Sequence, residues 1–316
     1  MKLSKLFNYI FLEWDWLIAY REIDNCNDSH FSLDKSIPFK IIPIPKGYWA
    51  ADPFLFKKNE EFYCFFELFD KKKRKAALGY KKLSDSSSSI GIMHEFDGHS
   101  SYPFLFESNG SIYAIPETKY CKKIVLLRNV EWPNKWVDVG TLLDGVYAVD
   151  STPFFIDNDL YLFVYEETEK NVNNLYIAKL DINNCLLSDI VLVKEYQKTD
   201  GRPGGGVIAL PDGMIRVVQP ARQRYGEKLE FLKFAFKDGK YTEEIVDELL
   251  PSQVVLNQKN QLVGVHTFNT CDKYQIIDVL TKGKFSLTRP FRYLFSKMGI
   301  FGYGCYDQKR KKAFDK

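Results

Sequence analysis

The sequence predicts an all-β chain, a five-bladed β-propeller followed by a short helical and basic C-terminal tail. Three observations carry this reading. A motif recurs at a fixed period: "ADPFLF" holds Pro53, "SYPFLF" holds Pro103 and "STPFFI" holds Pro153, with spacings of 50 and 50. Each motif is followed by a polar turn and a second apolar run, the mark of a hairpin. A Glu then stands fourteen residues after each Pro, at Glu67, Glu117 and Glu167. A two-sheet sandwich requires no such period.

The elements follow in order. Ahead of residue 50, "WLIAYREI" reads as one strand that completes a blade or closes the ring. The first three units turn at KKNE (57–60), ESNG (107–110) and DND (157–159). "KIVLLRNV" and "NLYIAKLD" supply later strands. The pattern continues more weakly in "GGGVIALPDGMIRVVQP", where Gln219 lies fourteen residues after Gly205. It continues again in "PSQVVLNQKNQLVGVH", with His266 fourteen after Ser252. Units therefore begin near 50, 100, 150, 203 and 251 in a propeller domain spanning 1–284. In the tail, 285–316, a helix after Pro290 would place Phe291, Leu294, Phe295 and Met298 on one face. Basic residues follow at 309–312, so this segment suits an anionic membrane surface, or equally a helix packed on the propeller.

Composition bounds the function. With 45% hydrophobic and 27% charged residues, 316 residues are ample for a buried core. Residues 282–316 hold ten Lys/Arg against two Asp/Glu, a net +8, so the body carries −5 of the overall +3. An acidic body argues against nucleic-acid binding. The opening apolar run is short and holds Asn8, and no small-residue cleavage site follows, so no signal peptide is expected. No stretch reaches the length of a membrane-spanning helix. The six Cys are more than thirty residues apart, with no CxxC, so neither zinc nor any other metal or cofactor is expected, and a cytoplasmic location is.

In a propeller the first strand of each blade lines a central channel, so a polar residue repeated at one blade position converges with its equivalents. The fourteen-residue rule puts Glu67, Glu117, Glu167, Gln219 and His266 in one such ring. A second ring comes from Asp52, Tyr102 and Asp150 or Thr152, just before each Pro. Clustered carboxylates split their pKa values, which divides acid and base roles. Asp is a poor strand former, so Asp52 and Asp150 need a reason to be where they are. His99 suits a proton carrier or a donor to a phosphate or sugar hydroxyl. In "TDGRPGGG" Arg202 stands among glycines that allow close backbone approach, and Arg grips phosphate or carboxylate with two hydrogen bonds. The stretch is not GxGxxG, and no strand–helix context follows. Arg222 and Arg224 make this side basic. DND matches the DxD spacing of metal-dependent transferases, but the repeat puts it in a hairpin turn on the outer rim. The structural alternative for each of these groups is a local ion pair or a loop satisfied by backbone.

"ADPFLF…FFEL", "HSSYPFLFESNGSIYAIPET", "VDSTPFF…LYLF" and "GRPGGG" resemble the N-terminal propeller domain of glucosamine inositolphosphorylceramide transferases and its stand-alone bacterial relatives. The resemblance spans roughly 45–280 and is most specific over 95–165. That domain is similar in fold to glycoside hydrolase family 43, in which an Asp on the first blade is the base, an Asp on the third tunes pKa and a Glu is the acid. The resemblance implies Asp52 as base and Asp150 as tuner, with Glu167 or Glu117 left to act as acid. The expectation is a glycosyltransferase of surface polysaccharide or glycolipid synthesis. It would take a phosphate-activated, nucleotide-linked sugar and a lipid-linked glycan acceptor at the inner face of the membrane. Asp52, Asp150 and Glu167 would be catalytic. Glu67, His99, Tyr102, Glu117, Arg202, Gln219 and His266 would bind substrate, with His99 and Arg202 on the donor phosphates. The alternatives are a family 43-like hydrolase and a non-catalytic glycan-binding propeller.

Overall fold

In the computed structural model the described residues are 12–285, except 24–32, 86, 88, 170–171 and 198–199. The tail, and with it the expected helix after Pro290, lies outside them. Five four-stranded antiparallel sheets form the five blades. Blade 1 runs outward as Tyr48–Lys58, Glu61–Asp70, Lys75–Lys82 and Gly91–His94. Blade 2 is Ser101–Ser108, Ser111–Glu117, Lys123–Glu131 and Lys135–Asp144. Blade 3 is Ala148–Ile156, Asp159–Glu166, Val172–Asp181 and Leu186–Gln197. Blade 4 is Ile208–Leu210, Gly213–Val218, Leu229–Lys237 and Lys240–Leu249. Blade 5 starts with Leu262–Cys271 and Tyr274–Thr281 and is finished by the chain's beginning, Trp16–Glu22 and Lys40–Ile41. The expected "WLIAYREI" strand thus closes the ring, paired from Trp16↔Leu280 to Glu22↔Tyr274. DND is a hairpin turn, with Ile156 paired to Asp159.

Each blade pair buries an apolar layer between alternating strand faces. Phe65 and Leu78 of blade 1 meet Leu105, Ala114 and Leu127 of blade 2. Ile115 and Leu126 meet Leu162 and Ala178. Phe163 and Ile177 meet Phe234. Val217 and Phe231 meet Phe268 and Ile277. Ile18 and Ile276 meet Cys64 and Phe66 at the closing seam. Aromatic side chains such as Phe65, Phe163, Phe231 and Phe268 run through these layers, each large ring burying about 150–250 Å².

Register corrects the repeat in two places. In blade 1, Ala51 pairs Glu67 and Phe54 pairs Phe65, so Asp52 and Pro53 together face one residue in a β-bulge. Ser101↔Glu117 and Phe104↔Ile115 make the same bulge at Tyr102. In blade 3 the pairs are Val149↔Tyr165 and Thr152↔Phe163, so the bulge holds Asp150 and Ser151. Asp52, Tyr102 and Asp150 all have φ of 49°. Alignment on proline therefore misplaces the third unit by two residues. Tyr165, not Glu167, is the equivalent of Glu67 and Glu117, and Asp150, not Thr152, is the equivalent of Asp52. In the fifth unit "PSQ" is a single 3-10 turn, and the inner strand begins at Leu262. His266 lies on that inner strand, in a bulge between Val265↔Val279 and Phe268↔Ile277. It is the counterpart of Asp52, not of Glu67.

Candidate active site

The bulges explain the site. A bulge re-aims a side chain without ending the strand. Four of the five inner strands spend one near the same end of the channel, at Asp52, Tyr102, Asp150 and His266. The fourth blade supplies Arg202 there, its carbonyl accepting the Gln219 N–H at 2.9 Å while Pro203 bridges Val218. Asp52, Tyr102, Asp150, Arg202 and His266 are all buried.

The glycines after Arg202 serve this geometry. A Cβ on Gly205, whose φ is +153°, would stand 1.9 Å from the Phe268 carbonyl oxygen. Phe268 N–H donates to Gly204 O at 2.8 Å, and Gly206 N–H donates to Asn269 Oδ1 at 2.6 Å. Three small residues let blade 4 touch blade 5 backbone to backbone, which brings Arg202 to the axis.

Two charged centres result. In the first, His266 Nε2 is 3.0 Å from Asp52 Oδ1, and its Nδ1 is 2.8 Å from Asp278 Oδ2. Thr267 Oγ1 donates to Asp52 Oδ1 at 2.9 Å. Asp278 accepts three backbone N–H groups, from Asp52 at 3.0 Å, His266 at 3.1 Å and Thr267 at 2.9 Å. That carboxylate therefore shapes two inner strands at once. Burial opposes protonation of His266, but Asp278 and Asp52 outweigh it and raise its pKa to about 10. Burial likewise pushes Asp52 up, yet His266 and Arg202 hold it below the ordinary carboxylate range. The ligand atoms of Asp52, His266 and Asp278 lie within 4.8 Å of one another, a spacing a metal ion can use. The carboxylates on both sides of the imidazole also make it an ion-pair relay.

In the second centre Arg202 donates from Nε to Asp150 Oδ2 and from NH2 to Glu117 Oε2 at 3.0 Å. Its NH1 is 3.7 Å from Glu167 Oε1, and Glu167 also pairs with Lys119. Gln219 Nε2 donates to Asp150 Oδ2 at 3.0 Å and to Pro203 O at 2.7 Å. One guanidinium faces two buried carboxylates here. Burial raises the Asp150 pKa well above its ordinary value, and Glu117 and Asp52 add to this against Arg202. Asp150 Oδ1 is buried with no hydrogen-bond partner among the described residues.

The remaining expected residues border these centres. Glu67 Oε1 is 3.2 Å from His99 Nε2, and burial raises the Glu67 pKa against that neighbour. The Tyr102 hydroxyl donates to Gly205 O at 2.9 Å and lies 2.9 Å from Thr152 Oγ1, tying blades 2, 3 and 4 together. Arg222 is matched by Glu230 at 2.8 Å and Asp200 at 3.3 Å, so its charge is neutralised, and Arg224 donates to Val263 O. Glu166 turns away to Asn174 and Tyr176.

Sequence reasoning missed Asp278, Thr267, Trp16, Tyr225 and Lys119. The Trp16 and Tyr225 rings pack on His266 at 4.1 and 5.0 Å. The Arg202 guanidinium lies 5.9 Å from the Tyr225 ring, so Tyr225 stands over both centres. Asp278 alone carried a signal, a lone carboxylate inside the apolar run "QIIDVL".

Comparison with known proteins agrees with this architecture. A family model described as "Glucosamine inositolphosphorylceramide transferase 1, N-terminal" matches residues 43–281. Glucosamine inositolphosphorylceramide transferase 1 of Oryza sativa subsp. indica is 24% identical over 221 residues, covering 66% of this chain and 30% of that protein. Its Arabidopsis thaliana namesake is 27% identical over 199 residues, covering 60% and 26%. The chain thus spans less than a third of these relatives. Among solved structures, the catalytic domain of the Coprinopsis cinerea GH62 α-L-arabinofuranosidase superposes with a TM-score of 0.55 at 11% identity, covering 86% of this chain and 97% of that one. An α-L-arabinofuranosidase from Lactobacillus brevis superposes at 0.52 with 13% identity, covering 78% and 96%. Identities this low show a shared fold alone.

Proposed function

The chain belongs to the family of glucosamine inositolphosphorylceramide transferase N-terminal domains, and from that premise we propose that its propeller carries out glycosyl transfer. The donor is a sugar activated by phosphate, the acceptor a lipid-linked glycan, and the site is the channel end where the four bulges meet. One observation carries the reading. Two carboxyl groups on the same ring, Asp52 and Asp150, have pKa values pushed in opposite directions. Such a split assigns base and acid in a sugar-transferring site. Asp52, kept ionised by His266, takes the proton of the acceptor hydroxyl or orients it. Asp150, held by Arg202 and Gln219 and raised by burial, tunes the field around the sugar. Glu67, raised by burial and by Asp52 against His99, is a further carboxyl beside Asp52. Arg202 donates to Asp150 and Glu117, so its role is to position carboxylates, and Lys119, paired with Glu167, is a further cation of the site.

The test is Asp52→Asn in the full chain, assayed with radiolabelled nucleotide sugars and a membrane extract as acceptor. The expected result is loss of transfer by at least a hundredfold, the usual scale of one general base, together with a lower melting temperature because His266 loses one of its two buried carboxylate partners, so circular dichroism at the assay temperature checks that the variant is folded. Unchanged transfer would remove Asp52 from the chemistry. Release of free sugar from a neutral oligosaccharide, with no transfer, would favour a hydrolase. The cytoplasmic, inner-face location is part of this proposal, and fractionation of expressing cells tests it.

A further inference from the structure

The registers place the site at one end of the propeller and show what else is at that end. Tyr48 pairs Asp70, Ser101 pairs Glu117 and Ala148 pairs Glu166, so the loops after these second strands open on the same face as Asp52, Tyr102 and Asp150. Thr281, the last residue of its strand, lies on this face as well, and Leu12 pairs Phe285 just beyond it. Five exposed aromatic side chains occur among the described residues: Tyr48, Tyr120, Tyr147, Phe155 and Phe285. All but Phe155 are on the site face. The loop of blade 1 there reads Asp70-Lys-Lys-Lys-Arg-Lys75, five consecutive cations. Asp70 Oδ1 caps the turn by accepting from the Lys72 and Lys73 N–H groups, which leaves both side chains exposed. Lys122 stands over the Tyr147 ring at 4.6 Å. Phe285 is where the described chain ends, and the residues after it carry most of the +8 net charge counted from 282.

We propose that this face docks on an anionic lipid bilayer, with the blade 1 loop and the exposed tyrosines at headgroup level and the channel mouth turned to the membrane. Tyrosine has an apolar body and a wet tip, so it gains at such a boundary, and each nearby cation adds attraction to anionic lipid. The inference deepens the proposed lipid-linked acceptor, since it brings the acceptor to the mouth. It is nevertheless read by binding, which needs no turnover.

The experiment is co-sedimentation of the full chain with vesicles of phosphatidylglycerol and phosphatidylcholine, against pure phosphatidylcholine. Binding is expected only with the anionic lipid and should weaken with salt. Lys72→Ser, Lys73→Ser and Lys75→Ser together should weaken it by about fivefold per cation, roughly a hundredfold in all. Tyr120→Ser with Tyr147→Ser should weaken it further without changing the salt slope. The proposal is overturned if the triple variant sediments like the parent chain. It is equally overturned if neutralising Lys309, Arg310, Lys311 and Lys312 abolishes all binding while the loop variant changes nothing. A double-stranded oligonucleotide that binds as tightly, with the same loss in the loop variant, would replace the membrane by nucleic acid. Vesicle binding without any sugar transfer leaves this proposal standing and removes the transferase reading instead.

Discussion

Asp278→Asn tests the relay beside Asp52. His266 is buried between two carboxylates, and its pKa rises from 6.5 to about 10. A raised pKa means the folded state binds the proton more tightly than the unfolded one. That stabilisation is fully present below pH 6.5 and is lost as pH rises through about 10. A shift of this size corresponds to on the order of 5 kcal/mol. Asparagine removes one of the two charges and turns an amide N–H towards backbone N–H groups that now donate to Asp278. The expected cost is about 3–5 kcal/mol, the scale for breaking a buried pair. The His266 pKa should fall by more than one unit, so alkaline unfolding should begin at lower pH. The assay is NMR titration of histidine ring carbons in a chain in which His30, His94 and His99 are replaced by Gln, leaving one signal, together with melting curves from pH 6 to 10. A parent His266 that titrates near 6.5, or one unmoved by Asp278→Asn, would refute the reasoning.

Other outcomes follow from the packing. Gly205→Ala should fail to fold or melt far below the parent in calorimetry, because its Cβ meets the Phe268 carbonyl oxygen at 1.9 Å and φ is +153°. Arg216→Met should cost about 3–5 kcal/mol in urea unfolding, because Glu243, 2.9 Å from Arg216 NH2, loses its buried partner. Burial would raise Glu243, but Arg216 and Lys194 bring it to about 2, so its contribution is present above pH 4.5 and fades as pH falls toward 2. Arg216→Met should flatten that acid limb. Tyr102→Phe should cost about 1–3 kcal/mol in the same assay by leaving Gly205 O without the hydroxyl that donates to it in the core.

The repeat was legible because hairpin chemistry is local. Alternating apolar runs around polar turns announce strand pairs, and their recurrence announces blades. The carboxylates of the first two blades were legible for the same reason, since Asp52, Glu67 and Glu117 obey one spacing. Phase within a blade is not local. A bulge adds a residue to one strand at no visible cost in sequence, so Pro153 and Glu167 imitate positions that belong to Ser151 and Tyr165. His266 and Asp278 sit 12 residues apart and meet Asp52 from more than 200 residues away, because the ring closes through Trp16–Glu22. No propensity or period encodes that closure. Sequence determined how many blades there are and where their hairpins turn. Only the closed ring decided which acid meets which base, because burial and neighbouring charge exist only once the strands converge on one axis.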